Sequence, residues 1–167
     1  MEANQGPERF KRLRRNLQRQ IHFSRNVFLI ILAVSLVNLI LLWVGVDYHF
    51  LFSAAIPYYL NWIARQLGRK GLTALAVVLT LAVFAVGGGC WYFFRNRKWL
   101  DGALLFYVVD TLALAVMALV LLDNPLSCLL EVLVHGLGLL LLFPARKATV
   151  RLENLKRRLD EQKERYI

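Results

Sequence analysis

Four apolar runs, each about as long as a bilayer is thick, constrain this chain more than anything else in it. Residues 27–45 and 72–94 carry no charged side chain, and residues 102–122 and 126–143 are interrupted only by Asp110, Glu131 and His135. At a rise of about 1.5 Å per residue, such runs match a hydrocarbon core about 30 Å thick. Lipid has no partner for a free backbone N–H or C=O, so each crossing has to be a helix. The expected fold class is therefore all-α, a polytopic membrane bundle of four transmembrane helices. Hydrophobic residues make up 58% of the 167 positions, and they fall in blocks rather than in the period of an amphipathic helix or strand.

Boundary signals support the count. Asp123 and Asn124 put capping side chains just before Pro125, a residue suited to the first helical position. Pro144 is expected to close the fourth span, which leaves a charged helical tail at residues 144–167. Between the first two spans, residues 46–66 are apolar and aromatic but broken by Asp47, His49, Pro57 and Asn61. A fifth crossing, a re-entrant loop and a helix lying among headgroups all compete for this segment. Charge bias rejects the fifth crossing. With four crossings, eighteen Lys and Arg residues fall on one side and only Arg65, Arg69 and Lys70 on the other. That asymmetry places both termini in the cytoplasm and residues 46–66 on the outer side, as an interfacial segment or a re-entrant one, where Tyr48, Tyr58, Tyr59 and Trp62 form an aromatic belt. Trp91, Tyr92 and Trp99 form the matching inner belt.

The net charge of +10, from 21 basic and 11 acidic residues, is concentrated at the chain ends. In residues 1–26, Phe10, Leu13, Leu17 and Ile21 recur at helical spacing among Arg9, Lys11, Arg12, Arg14, Arg15 and Arg19. A basic amphipathic helix resting on anionic inner-leaflet lipid accounts for this pattern. Arg146 and Lys147 continue the basic surface in the tail, beside an apolar stripe of Leu152, Leu155 and Leu159. No nucleic-acid-binding module accompanies the charge, so nucleic acid is not an expected partner. The first apolar block is too long for a cleaved signal peptide and reads as an uncleaved anchor.

Small residues inside the spans point to packing. Gly87, Gly88 and Gly89 leave a flat helix face for a neighbour to approach. No phosphate loop is present, because no Lys-Ser or Lys-Thr follows them. Cys90 and Cys128 lie near opposite ends of their helices and form no Cys-x-x-Cys pair, which argues against thiol chemistry.

Asp110, Glu131 and His135 are the best clue to function, since charge in hydrocarbon is costly to keep. In an antiparallel pair of last helices, Asp110 and His135 both fall near the bilayer centre. Glu131 lies on the same helical face as His135, one turn outward. Asn38 in the first span has a similar depth, and Tyr107 is one turn from Asp110. Three readings of this layer stand open: a satisfied polar network that fixes helix register, a catalytic or divalent-cation centre built on Asp110, Glu131 and His135, and a relay for protons or substrate. The glutamate–histidine spacing lacks the second histidine of the zinc-protease helix signature.

Several runs together resemble a group of small four-helix membrane proteins from anaerobic Gram-positive bacteria. They are Asn38-Leu39-Ile40-Leu41-Leu42, the stretch Phe50-Leu51-Phe52-Ser53-Ala54-Ala55-Ile56-Pro57-Tyr58-Tyr59, Val109-Asp110-Thr111-Leu112, and Leu130-Glu131-Val132-Leu133-Val134-His135. The resemblance implies a four-crossing topology and a bacterial inner membrane, and it implies no particular activity. The leading expectation is a non-enzymatic membrane component or accessory subunit with no cofactor. Its expected partners are the bilayer, its anionic lipids, and another membrane protein or a second copy of the chain.

Overall fold

The computed structural model describes residues 5–46, 48–120 and 125–164. The cap expected at Asp123 and Asn124 lies outside them. Among the described residues the chain forms five helices and no strand: α1 (Gln5–Val44), α2 (Ala55–Gln66), α3 (Lys70–Tyr92), α4 (Arg97–Val120) and α5 (Pro125–Glu164). The fold is all-α, and α1, α3, α4 and α5 contain the four stretches long and apolar enough to cross a membrane. With 12 residues, α2 reaches only about 18 Å and does not span one.

Packing is arranged for lipid. Phe28 and Ile31 of α1 meet Leu100 and Tyr107 of α4 and Leu142 of α5 in one buried cluster, closed at its end by Phe94. Meanwhile Leu36, Val78, Leu81, Leu112, Leu133 and Leu140 are exposed on the outside of the bundle. An apolar exterior of this extent is unsuited to water and matches acyl chains. The glycine run serves close approach, as its composition suggests. A Cβ on Gly87 would stand 2.8 Å from Leu32 of α1, and one on Gly89 would stand 3.2 Å from the Trp99 ring of α4.

Two boundaries differ from those expected. The basic segment 1–26 is not a separate element, because α1 runs for 40 residues without a break from Gln5 to Val44. Pro144 likewise does not end the last helix. It sits inside α5, which continues to Glu164. A proline removes one backbone donor and crowds the preceding turn, and in hydrocarbon a neighbouring side chain has to satisfy what is freed. The carbonyl deprived of its donor is that of Leu140, and Ser24 of α1, fully buried, donates its hydroxyl to the next carbonyl in that turn, Leu141, at 2.8 Å. Beyond the proline, Ala145 and Ala148 pack into the same cluster as Leu17 and Ile21, with Leu152 and Leu155 against it. The two apolar stripes at the chain ends therefore face each other, and α1 and α5 project together as an antiparallel pair. Leu159 lies outside the described side chains.

Residues 46–66 form an insertion into the bundle rather than a layer on it. Gly45, with φ of +88°, ends α1 in a left-handed turn closed by the bonds from Gly45 N–H to Leu42 O and Val46 N–H to Leu41 O. The chain then doubles back beside α1. Asn38 reads the backbone of Phe50 on both sides, accepting its N–H at 2.7 Å and donating to its carbonyl at 2.8 Å. Ala54 reaches Ser35. From Gly45 to Ser35 is ten residues of helix, about 15 Å, or half of a hydrocarbon core. α2 then returns parallel to α1, and Arg65 donates to the Leu42 carbonyl at the end of α1. Asn61 ties α2 to Thr80 of α3 at 2.7 Å. The segment thus makes a re-entrant hairpin of one coil and one short helix. The partners that let it leave the interface are Ser35, Asn38 and Asp110, which are far from it in sequence.

Ser24→Ala should lower unfolding stability in detergent by about 1 kcal/mol, the usual value of one buried hydrogen bond. The loss should be about the same in the Pro144→Ala background, because the donor restored at position 144 reaches the Leu140 carbonyl and not Leu141. Strong coupling in a double-mutant cycle would instead tie the serine to the proline.

Candidate intramembrane polar site

The first turn of a helix leaves its N–H groups without intrahelical partners, and in a buried helix these must be supplied from elsewhere. The first turn of α2 has no capping side chain of its own; its N-cap is Ala54, with φ of −78° and ψ of 131°. The Ala54 N–H goes to the Ser35 hydroxyl at 2.6 Å. The next two, of Ala55 and Ile56, go to the two carboxylate oxygens of Asp110 on α4, at 2.8 and 2.7 Å. The fourth position is Pro57, which has no N–H. Every donor at this helix end is thereby accounted for. Asp110 is 0% exposed, and its carboxylate faces the positive end of the α2 dipole.

His135 of α5 completes the far side of Asp110. Its Nδ1 lies 3.0 Å from the Glu131 carbonyl, which can only accept, so that nitrogen carries a proton. Its Nε2 lies 3.3 Å from Asp110 Oδ2, an ion-pair separation rather than an aligned hydrogen bond. The imidazole is held flat against the Tyr107 ring, with centroids 5.5 Å apart and planes 8° from parallel. Gly138 makes the space for that stack, since a Cβ there would stand 2.6 Å from the Tyr107 hydroxyl oxygen. The hydroxyl itself is buried and has no hydrogen-bond partner among the described residues.

Glu131 belongs to a second layer, one turn nearer the end of the bundle away from the termini. Its carboxylate contacts His49 Nε2 on one oxygen and accepts the Tyr59 hydroxyl on the other at 3.0 Å. His49 in turn lies over the Tyr58 ring, 4.8 Å between centroids. Glu131 therefore holds both arms of the hairpin, the incoming coil through His49 and the outgoing helix through Tyr59.

The residues singled out from sequence are brought into two connected clusters rather than one. Asp110, His135 and Tyr107 meet. The side chain of Glu131 turns to His49, and Asn38 is occupied by the backbone of Phe50 and the Ser53 hydroxyl. Asp110, Glu131 and His135 do not converge on a common point, and among the described residues no three His, Cys, Asp or Glu side chains form a set able to hold a metal ion. Ser35, His49 and Tyr59 were not picked out as site residues. An imidazole within an apolar segment marked His49 as unusual, whereas Ser35 and Tyr59 carry no such signal. The basic residues Arg9, Lys11, Arg12, Arg14, Arg15 and Arg19 lie exposed along the first half of α1, and Arg146 and Lys147 lie exposed on α5. Arg146 is bonded to Asp101 of α4 at 2.9 Å.

No protein family, curated protein or solved structure matches the chain.

Asp110→Ala leaves two α2 donors and an imidazole without their partner, and a loss of about 3–5 kcal/mol is expected, as when one member of a buried pair is removed. Thermal unfolding in detergent measures it, and Asp110→Asn, which keeps one acceptor oxygen, should fall between wild type and alanine. Tyr107→Phe is expected to be neutral or slightly stabilising by the same measurement, because it removes a hydroxyl that makes no bond.

Proposed function

We propose that this protein is a multi-pass, non-enzymatic component of a bacterial cell membrane, an accessory subunit with both termini in the cytoplasm. Its intramembrane polar cluster serves to hold the re-entrant hairpin in place. One observation carries this reading: both oxygens of Asp110 are occupied by backbone N–H groups of α2. A general base or a cation ligand needs a lone pair directed at the reacting atom or ion, and Asp110 instead directs one lone pair of each oxygen at the α2 backbone, with Oδ2 also facing His135. The excess of Lys and Arg at one end of the bundle supports the orientation. The lipid-suited exterior supports association with the bilayer and, within it, with a second copy or another membrane protein.

A small proton-coupled carrier is the second reading, favoured by one specific arrangement. His49, half-buried, contacts Glu131, and one turn along α5 the fully buried His135 contacts Asp110. Two acid–imidazole pairs in sequence from a partly exposed to a buried position are suited to relaying protons.

Reconstitution into vesicles containing a pH-sensitive dye distinguishes the two. The structural role predicts no proton flux above that of empty vesicles, and a lowered unfolding temperature for Asp110→Asn. Flux that disappears in Asp110→Asn or His135→Ala, with the unfolding temperature unchanged, would overturn it in favour of the carrier. Substrate turnover lost in the same variants would overturn it in favour of an enzyme. Reporter tags on the two termini test the orientation separately.

A further inference from the structure

Where α1 and α5 leave the apolar part of the bundle, the turn between α3 and α4 folds against them and encloses a cleft of about 380 Å³. Arg14 from α1, Arg95 from the turn and Lys156 from α5 line it, over an apolar floor that includes Phe10, Leu152 and Leu155. None of these three cations has an ion-pair or hydrogen-bond partner among the described residues. The only carboxylate in the lining, Glu153, is already drawn to Arg97 at 3.8 Å. A second space of about 220 Å³ lies beside it, shares Arg95, and is lined by Gln18, His22 and Thr149. Thr149 is 3% exposed, and its hydroxyl makes no hydrogen bond in a place where a buried polar group ordinarily has one.

Three positive charges against one carboxylate that faces Arg97, a buried hydroxyl unpartnered among the described residues in the adjoining space, and an apolar floor describe the receptor for an anionic amphiphile. Position selects among such molecules. Arg95 lies three residues past the end of α3, and Trp91, near that end, lies under the Arg25 guanidinium at 4.5 Å from its ring centroid. Aromatic rings at the end of an apolar helix mark the headgroup level of a bilayer, and basic pockets at that level on the cytoplasmic side take lipid phosphates. We propose that this cleft is a specific site for the phosphate headgroup of one anionic phospholipid, with Arg14, Arg95 and Lys156 neutralising the phosphate and the apolar floor taking the adjoining glycerol and chain. This rests on the reading of the basic end as facing an anionic leaflet, and it goes further by assigning one built site in place of a diffuse charged surface.

Native mass spectrometry of the full chain in detergent, titrated with phosphatidylglycerol and with phosphatidylcholine, tests the assignment. One phosphatidylglycerol should bind in preference to phosphatidylcholine. At roughly fivefold in affinity per cation near the surface, the Arg14→Gln, Arg95→Gln, Lys156→Gln triple variant should weaken that first binding event about a hundredfold. Removing equal charge outside the cleft, with Arg12→Gln, Arg15→Gln and Arg19→Gln, should change it by less than about tenfold. Unfolding temperatures close to wild type establish that both variants are folded, as expected for exposed side chains. Equal losses in the two variants would overturn the site and leave the orientation standing, since diffuse attraction depends only on net charge. Competition by millimolar inorganic phosphate would overturn the lipid as ligand. No preference for phosphatidylglycerol would also overturn the site, whereas terminal tags found outside the cell would overturn the orientation alone.

Discussion

The carboxylate of Asp110 against the first turn of α2 is the interaction on which the rest depends. A helix that begins in mid-bundle exposes a row of N–H donors to a medium that cannot solvate them, and each left unpaired is expensive. A charged group buried in the same medium is equally unfavourable by itself. Put together, the two liabilities cancel, with the helix dipole adding to the hydrogen bonds. His135 then packs against the carboxylate, Tyr107 fixes the imidazole plane, and Gly138 admits Tyr107. Each of these residues is explained by the one before it, back to the need to begin a helix away from water.

The same logic runs through the polar residues of the other helices. Ser35 and Asn38 supply bonds to the incoming coil, Asn61 and Thr80 join α2 to α3, Ser24 attends to the proline turn of α5, and Arg65 covers a carbonyl at the end of α1. Nearly all of these bonds link a side chain of one helix to the backbone of another segment. In lipid, where apolar contact alone distinguishes poorly between helix pairings, such bonds select which faces meet. The small residues act in the same direction by setting how near the helices come, as with Gly87 against Leu32.

The four spans were legible from the length and purity of the apolar runs alone, because bilayer thickness leaves a chain little choice. Asp110, Glu131, His135, Asn38 and Tyr107 were legible as a polar layer for the same reason. What could not be read was the pairing within that layer. Whether residues 46–66 stay at the interface or re-enter stayed open, because composition does not record that Ser35, Asn38 and Asp110 stand ready to receive a backbone. The continuation of α5 through Pro144 was hidden likewise, since the hydroxyl that attends to the proline turn comes from Ser24, 117 residues from the carbonyl it meets. Local signals such as proline and aromatic content describe what a segment prefers in isolation, and here distant partners overrule them.

The composition of the hairpin's binding set has a consequence for biogenesis. Ser35 and Asn38 are synthesised before residues 46–66, but Asp110 and Glu131 follow them by some fifty to eighty positions, on helices that emerge from the ribosome last. Until those two arrive, Ser35 and Asn38 can serve the coil through Phe50 and Ala54, but the Ala55 and Ile56 donors lack the carboxylate that they have in the finished fold. The short helix thus gains its mid-bundle acceptor only once the later of the long helices, which carry it, have been made.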